Sequence, residues 1–151
     1  MRDASAVERE RVAQALNILD VASLSARYRI VSISGGAYRL KGTIEASVEQ
    51  ACVISLDPVE NDVKASFEVE FWPDLEPEDS EEEASILGPV DAELLEHGLV
   101  PVGRIVFETL SASLDPYPRR EGAEFNWTDP ADEGAEKHNP FAALSKLKDQ
   151  R

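Results

Sequence analysis

Apolar residues recur along this chain at two spacings, and the change from one to the other organises its first half. Val12, Leu16 and Leu19 fall three to four residues apart, the period of a helix with one buried stripe. Glu8, Arg9, Glu10 and Arg11 supply the polar face. Ser5 and Glu8, in "SAVE", have the spacing of a capping box: the serine oxygen accepts from an orphan amide and the glutamate reaches back to the cap. The pattern predicts a helix over residues 6–16.

The period then drops to two. Leu24, Ala26, Tyr28 and Ile30 alternate with polar neighbours up to "SGGA", residues 34–37, and Tyr38, Leu40, Ile44, Ala46 and Val48 alternate beyond it. Two alternating runs about a Gly-Gly turn predict a β-hairpin. Cys52, Ile54 and Leu56 form a further run that stops at Asp57-Pro58. Val63, Ala65, Phe67, Val69 and Phe71 form the cleanest strand pattern, which stops at Trp72-Pro73. Together these runs predict an antiparallel meander with one buried face.

"PDLEPEDSEEE", residues 73–83, breaks the pattern with prolines and like charges and predicts a solvated loop. It reads either as a solubilising insertion or as an acidic mimic of nucleic acid for a basic partner. "VDAELLEHG", residues 90–98, predicts one or two helical turns with Asp91 as cap and Gly98 as stop. Val102, Val106 and Leu110, flanked by Ile105, Phe107 and Leu114, predict a helix broad enough to cover the sheet, ended by Asp115-Pro116. Residues 119–138 show no period and are rich in Gly, Asp, Glu and Pro, which predicts a flexible acidic linker on which Phe125 and Trp127 offer local docking points.

"NPFAALSKLK", residues 139–148, follows. Asn139 suits an N-cap and Pro140 the first helical position. Phe141, Leu144 and Leu147 make one apolar stripe, and Lys146, Lys148 and Arg151 sit where they favour the helix dipole. A helix this short is marginal alone in water, so the segment is stable where the stripe is buried. Two burials stand open: against the chain's own domain, or in a groove on a partner.

The 151 residues suffice for one domain with a modest core. A net charge of −15 repels nucleic acid at long range and argues against a broad phosphate-binding face, while leaving room for a local basic patch. Cys52 is the only cysteine, so the chain has no internal disulfide, as expected in a reducing cytosol. No apolar run spans a membrane and no secretory h-region follows Met1. His97 and His138 lack a paired nucleophile, and "SGGA" lacks the lysine and helix of a P-loop. The remaining enzyme reading is a metal-dependent ribonuclease built on carboxylates, for which no spacing speaks. "DPYPRR", residues 115–120, reads either as a proline-stiffened turn or as a contact for RNA phosphate or an acidic protein through Tyr117, Arg119 and Arg120.

Three blocks carry a resemblance. "VEQACVISLDPVENDVKASFEVEFWP" at 48–73, "VGRIVFETLSASLDPYPR" at 102–119 and "NPFAALSKLK" at 139–148 resemble, in order, the signatures of the YceD family, also called domain of unknown function 177. The "LDPYPR" form is similar to the alphaproteobacterial branch. The resemblance implies a bacterial factor for accumulation or maturation of 23S ribosomal RNA. No cofactor is expected. Two departures stand out. Many members carry C-x-x-C where this chain has "CVIS", residues 52–55. One thiolate does not make a closed zinc site, so Cys52 is expected as a small core or sheet residue. The segment before the first helix is also short for the family, which predicts a missing edge strand and an exposed sheet edge.

The expected architecture is α+β: an antiparallel sheet of four or more strands against two helices over residues 1–118, the linker 119–138, and a helical tail 139–151. The expected function is a non-enzymatic, cytoplasmic factor in large-subunit biogenesis. Its partner would be a basic ribosomal protein or processing factor held through Pro140, Phe141, Leu144 and Leu147. The rival is direct contact with ribosomal RNA through Tyr117, Arg119, Arg120, Lys146 and Lys148.

Overall fold

The computed structural model describes residues 1–74 and 91–125. The elements run β1 (Arg2–Asp3), α1 (Ala6–Leu16), β2 (Asp20–Ser32), β3 (Tyr38–Ala51), β4 (Pro58–Trp72), β5 (Asp91–Leu94) and α2 (Val102–Ser113). The five strands form one sheet in the order β1-β2-β3-β4-β5. The fold is α+β, as expected. The acidic run 75–83 and the tail 139–151 lie outside the described residues.

The capping box is present: the Glu8 amide donates to Ser5 Oγ at 3.3 Å and the Ser5 amide to Glu8 Oε2 at 2.8 Å. Asn17, at φ 54°, ends α1 in the left-handed region. That reversal stops the helical period, so Leu19 is exposed while Ile18 packs on the core. β2 begins at Asp20, ahead of the visible alternation, because a bulge shifts the register between Val21 and Ser23. One extra residue lets Val21 and Leu24, an odd number apart, both face inward.

β2, β3 and β4 form the long antiparallel meander. Its inner face carries Leu24, Ala26, Leu40, Ile44, Val48, Phe67, Val69 and Phe71. Ala13 of α1 and Ile105 and Leu110 of α2 complete the core. Gly42 stands opposite both Tyr28 and Phe67. A Cβ there would lie 2.5 Å from Arg27 O and 2.5 Å from Phe67 Cζ, so the bare glycine is what lets the Phe67 ring lie across β3. At the β2–β3 turn, Gly35 adopts φ 76° beneath the Trp72 ring.

Four expectations need correction. The sheet is mixed, because β5 runs parallel to β4, pairing Val69–Trp72 with Asp91–Leu94. The helical turns expected over 90–98 are replaced by that strand and a 3₁₀ turn at Glu96–Gly98. A segment this short cannot nucleate a helix alone, whereas the β4 edge offers a row of unpaired amides and carbonyls. The Cys52–Leu56 run is a turn: Leu56 takes φ 62° and its amide donates to Cys52 O at 2.9 Å. Finally, a two-residue edge strand is present, since Arg2 and Asp3 pair with Ala26 and Ser25, while β2 from Arg27 onward remains an edge as expected.

Candidate functional site

The segment after α2 returns to the far end of the sheet. Asp115 closes a turn by accepting from the Tyr117 amide at 2.9 Å, and the flanking prolines stiffen the chain. Pro118 is buried, and its carbonyl accepts from the Val53 amide at 2.9 Å. Gln50, a buried polar side chain, donates to Asp115 O at 3.0 Å and accepts from Asn61 Nδ2 at 3.1 Å. The segment 115–120 thus straps the β3–β4 turn, joining residues more than sixty apart in sequence.

Cys52 sits under this strap with no solvent exposure. Its Sγ accepts from the amides of Ile54 and Ser55 at 3.5 Å each and of Arg120 at 3.4 Å. Converging N–H groups form a nest that favours negative charge. The Arg120 amide first, then Ser55 and Ile54, lower the thiol pKa to about 6, against an opposing burial cost. Arg120 also places Nη1 2.8 Å from Asp57 Oδ2 and holds that carboxyl below its ordinary range.

The opposite end of the sheet has a different surface. Both helices pack on the inner face, and among the described residues no element covers the outer face. There Arg27 and Arg29 of β2 stand beside Lys41 and Arg39 of β3, in the rows Arg27–Thr43, Arg29–Lys41 and Val31–Arg39. Lys41 Nζ reaches Glu68 Oε2 at 2.6 Å, and Arg39 Nη2 reaches Glu70 Oε1 at 2.5 Å. Among the described residues neither Arg27 nor Arg29 makes an ion pair. These four cations and Tyr28, Val31 and Glu68 line a shallow cavity of about 560 Å³. A second, apolar cavity of about 330 Å³ lies between α1 and α2 over β2, lined in part by Val12, Leu24, Val106 and Phe107.

Of the site residues expected from sequence, Tyr117 is 71% exposed and Arg119 is exposed, while the Arg120 side chain is engaged by Asp57. The structure brings these three to the strap. Pro140, Phe141, Leu144, Lys146, Leu147 and Lys148 lie outside the described residues, as do Trp127 and His138. Phe125 is exposed. Among the described residues no three His, Cys, Asp or Glu side chains converge as metal ligands, and no helix is long and apolar enough to cross a membrane.

The family model for the large ribosomal RNA subunit accumulation protein YceD matches residues 40–148. The chain belongs to the YceD family. No curated protein matches the chain, nor does any solved structure. The YceD match covers β3 from Leu40, the Cys52 turn, β4, α2 and the strap, so the polar clamp around Cys52 falls within it, as does Lys41. Arg27, Arg29 and Arg39 precede it. Sequence reasoning passed over those three cations because it followed the apolar phase of the hairpin. The signal is in the other phase, where "ARYRIVS" and "YRLKG" put a basic residue at two outward positions on each strand.

Proposed function

We propose that this chain supports 23S ribosomal RNA accumulation as a cytoplasmic binding factor rather than a catalyst, acting through a protein partner. The YceD match carries the reading: it gives the family's role in large-subunit ribosomal RNA accumulation and extends over the tail to residue 148. The partner is a basic ribosomal protein or an RNA-processing factor. The net charge of −15 speeds its encounter, since electrostatic steering raises association rates. Phe141, Leu144 and Leu147 then supply an apolar anchor of the helix-in-groove kind, started by Pro140.

The double variant Phe141→Ala/Leu144→Ala tests this reading. Affinity purification of the tagged full chain from a bacterial host is expected to recover a basic ribosomal or RNA-processing protein with the parent and to lose most of it with the variant. Circular dichroism should show the same folded domain in both. Equal recovery from parent and variant sinks the reading.

A second reading, direct contact with ribosomal RNA, is supported by the exposure of Tyr117 and Arg119. Arg119→Ala should then weaken RNA binding, and an unchanged affinity in filter binding at low salt removes that contact.

A further inference from the structure

We propose that the outer face of the β2–β3 hairpin is a binding site for the phosphodiester backbone of RNA, formed by Arg27, Arg29, Arg39 and Lys41. The inference takes from the proposed function only that ribosomal RNA is the molecule served. It uses a different surface from the tail.

The first support is charge segregation. Four of the chain's fifteen Lys and Arg residues lie on two neighbouring strands, two residues apart on each. Glu68 and Glu70 balance two of them, which leaves a local surplus of positive charge on a strongly acidic chain. The next outward acid along β3, Glu45, stands beside Ser25, two residues from Arg27, and is itself met by Lys64 at 3.7 Å, so it leaves the surplus in place.

The second support is geometry. Side chains two apart on a strand share a face about 7 Å apart, and the next strand adds cations about 5 Å to the side. Arg27 and Arg29 therefore form a short rail flanked by Lys41 and Arg39. A guanidinium offers a planar fork that meets phosphate oxygens two at a time. β1 pairs only with Ser25 and Ala26, so from Arg27 onward β2 is an edge. Tyr28, one residue out of phase with the rail, turns to the inner face beside Gly42 and Phe67, so the outer site is made of the cations alone.

An acidic protein is the competing occupant. Protein docking draws most of its energy from buried apolar anchors, and on this outward cluster Val31 is the only exposed large aliphatic side chain. The surface suits a polyanion better than a protein.

The test is fluorescence anisotropy of the full chain with a labelled mixed-sequence RNA 12-mer in about 50 mM salt. Binding is expected to weaken with salt at a logarithmic slope of about −1.5 to −3, for two to four phosphates neutralised on a single strand. Arg27→Gln/Arg29→Gln/Lys41→Gln should lose at least about tenfold in affinity. Arg29→Gln alone, the milder variant should the triple one misfold, should lose about threefold. Thermal melts and gel filtration check that each variant stays folded and monomeric. No binding by the parent, or a folded triple variant within twofold of it, overturns the site. Equal displacement by polyglutamate overturns the RNA assignment in favour of an acidic protein. Phe141→Ala/Leu144→Ala should bind the 12-mer as the parent does, so loss of the partner in pull-downs and loss of RNA here report on separate claims.

Discussion

The two ends of the meander are held by different means. At the Cys52 end, contacts come from far along the chain: Pro118 accepts from Val53, Gln50 donates to Asp115, and Arg120 covers the thiol. At the Gly35 end, β2, β3 and β4 hold one another through strand pairing, and among the described residues no element covers the outer face. One end is tied by distant contacts; the other displays cations. Stability and surface chemistry are thus supplied by different residues.

The comparison is tested hardest at Gly42, in the open half. Gly42→Ala forces Phe67 or the Arg27 backbone to move, and overpacking of this kind costs about 1–3 kcal/mol. Urea unfolding should show the loss as a lower midpoint. An unchanged midpoint would mean that the Phe67 packing across β3 is not what holds this half together.

Next comes the tied half. With its folded-state pKa lowered to about 6, well below the ordinary thiol value, Cys52 is ionised when folded over a range where the unfolded chain still binds the proton. Stability from this group is therefore fully present above the unfolded pKa and is lost as pH falls through about 6. Unfolding midpoints of the parent should rise from pH 6 to pH 9, and Cys52→Ser should flatten that rise. Parallel profiles for the two proteins would remove the nest from the tied end.

The smallest effect is expected at the exposed Arg120–Asp57 pair. Arg120→Ala keeps the backbone amide that serves Cys52 and removes only the ion pair, and such surface pairs contribute little. Thermal melts should barely shift. A large loss would show that the side chain, not the backbone, fastens the strap.

Most of the fold was legible because its periods were clean. The Ser5–Glu8 box placed α1, and the alternation from Val63 to Phe71 placed β4. What failed did so where tertiary pairing outweighs local pattern. "DAEL" reads as a helix start, yet it adds to the β4 edge. Cys52, Ile54 and Leu56 keep a strand's spacing, yet the left-handed Leu56 folds them into a turn. The site was less legible for a related reason. Arg29 and Lys41 are twelve residues apart in sequence and adjoin only once the hairpin register is set. The "DPYPRR" segment was legible as a stiff turn, but its seat against Cys52 was not, since nothing local marks a contact to a thiol so distant in sequence.

The order of the elements has a consequence during synthesis. The meander is finished at Trp72, but Ile105 and Leu110, which cover its greasy side, lie more than thirty residues downstream. At typical elongation speeds the nascent sheet waits on the order of seconds for that lid. Over that interval the half-made protein shows Leu40, Ile44 and Phe71 to whatever waits at the tunnel exit, and it is then, rather than when complete, that it is most exposed to aggregation.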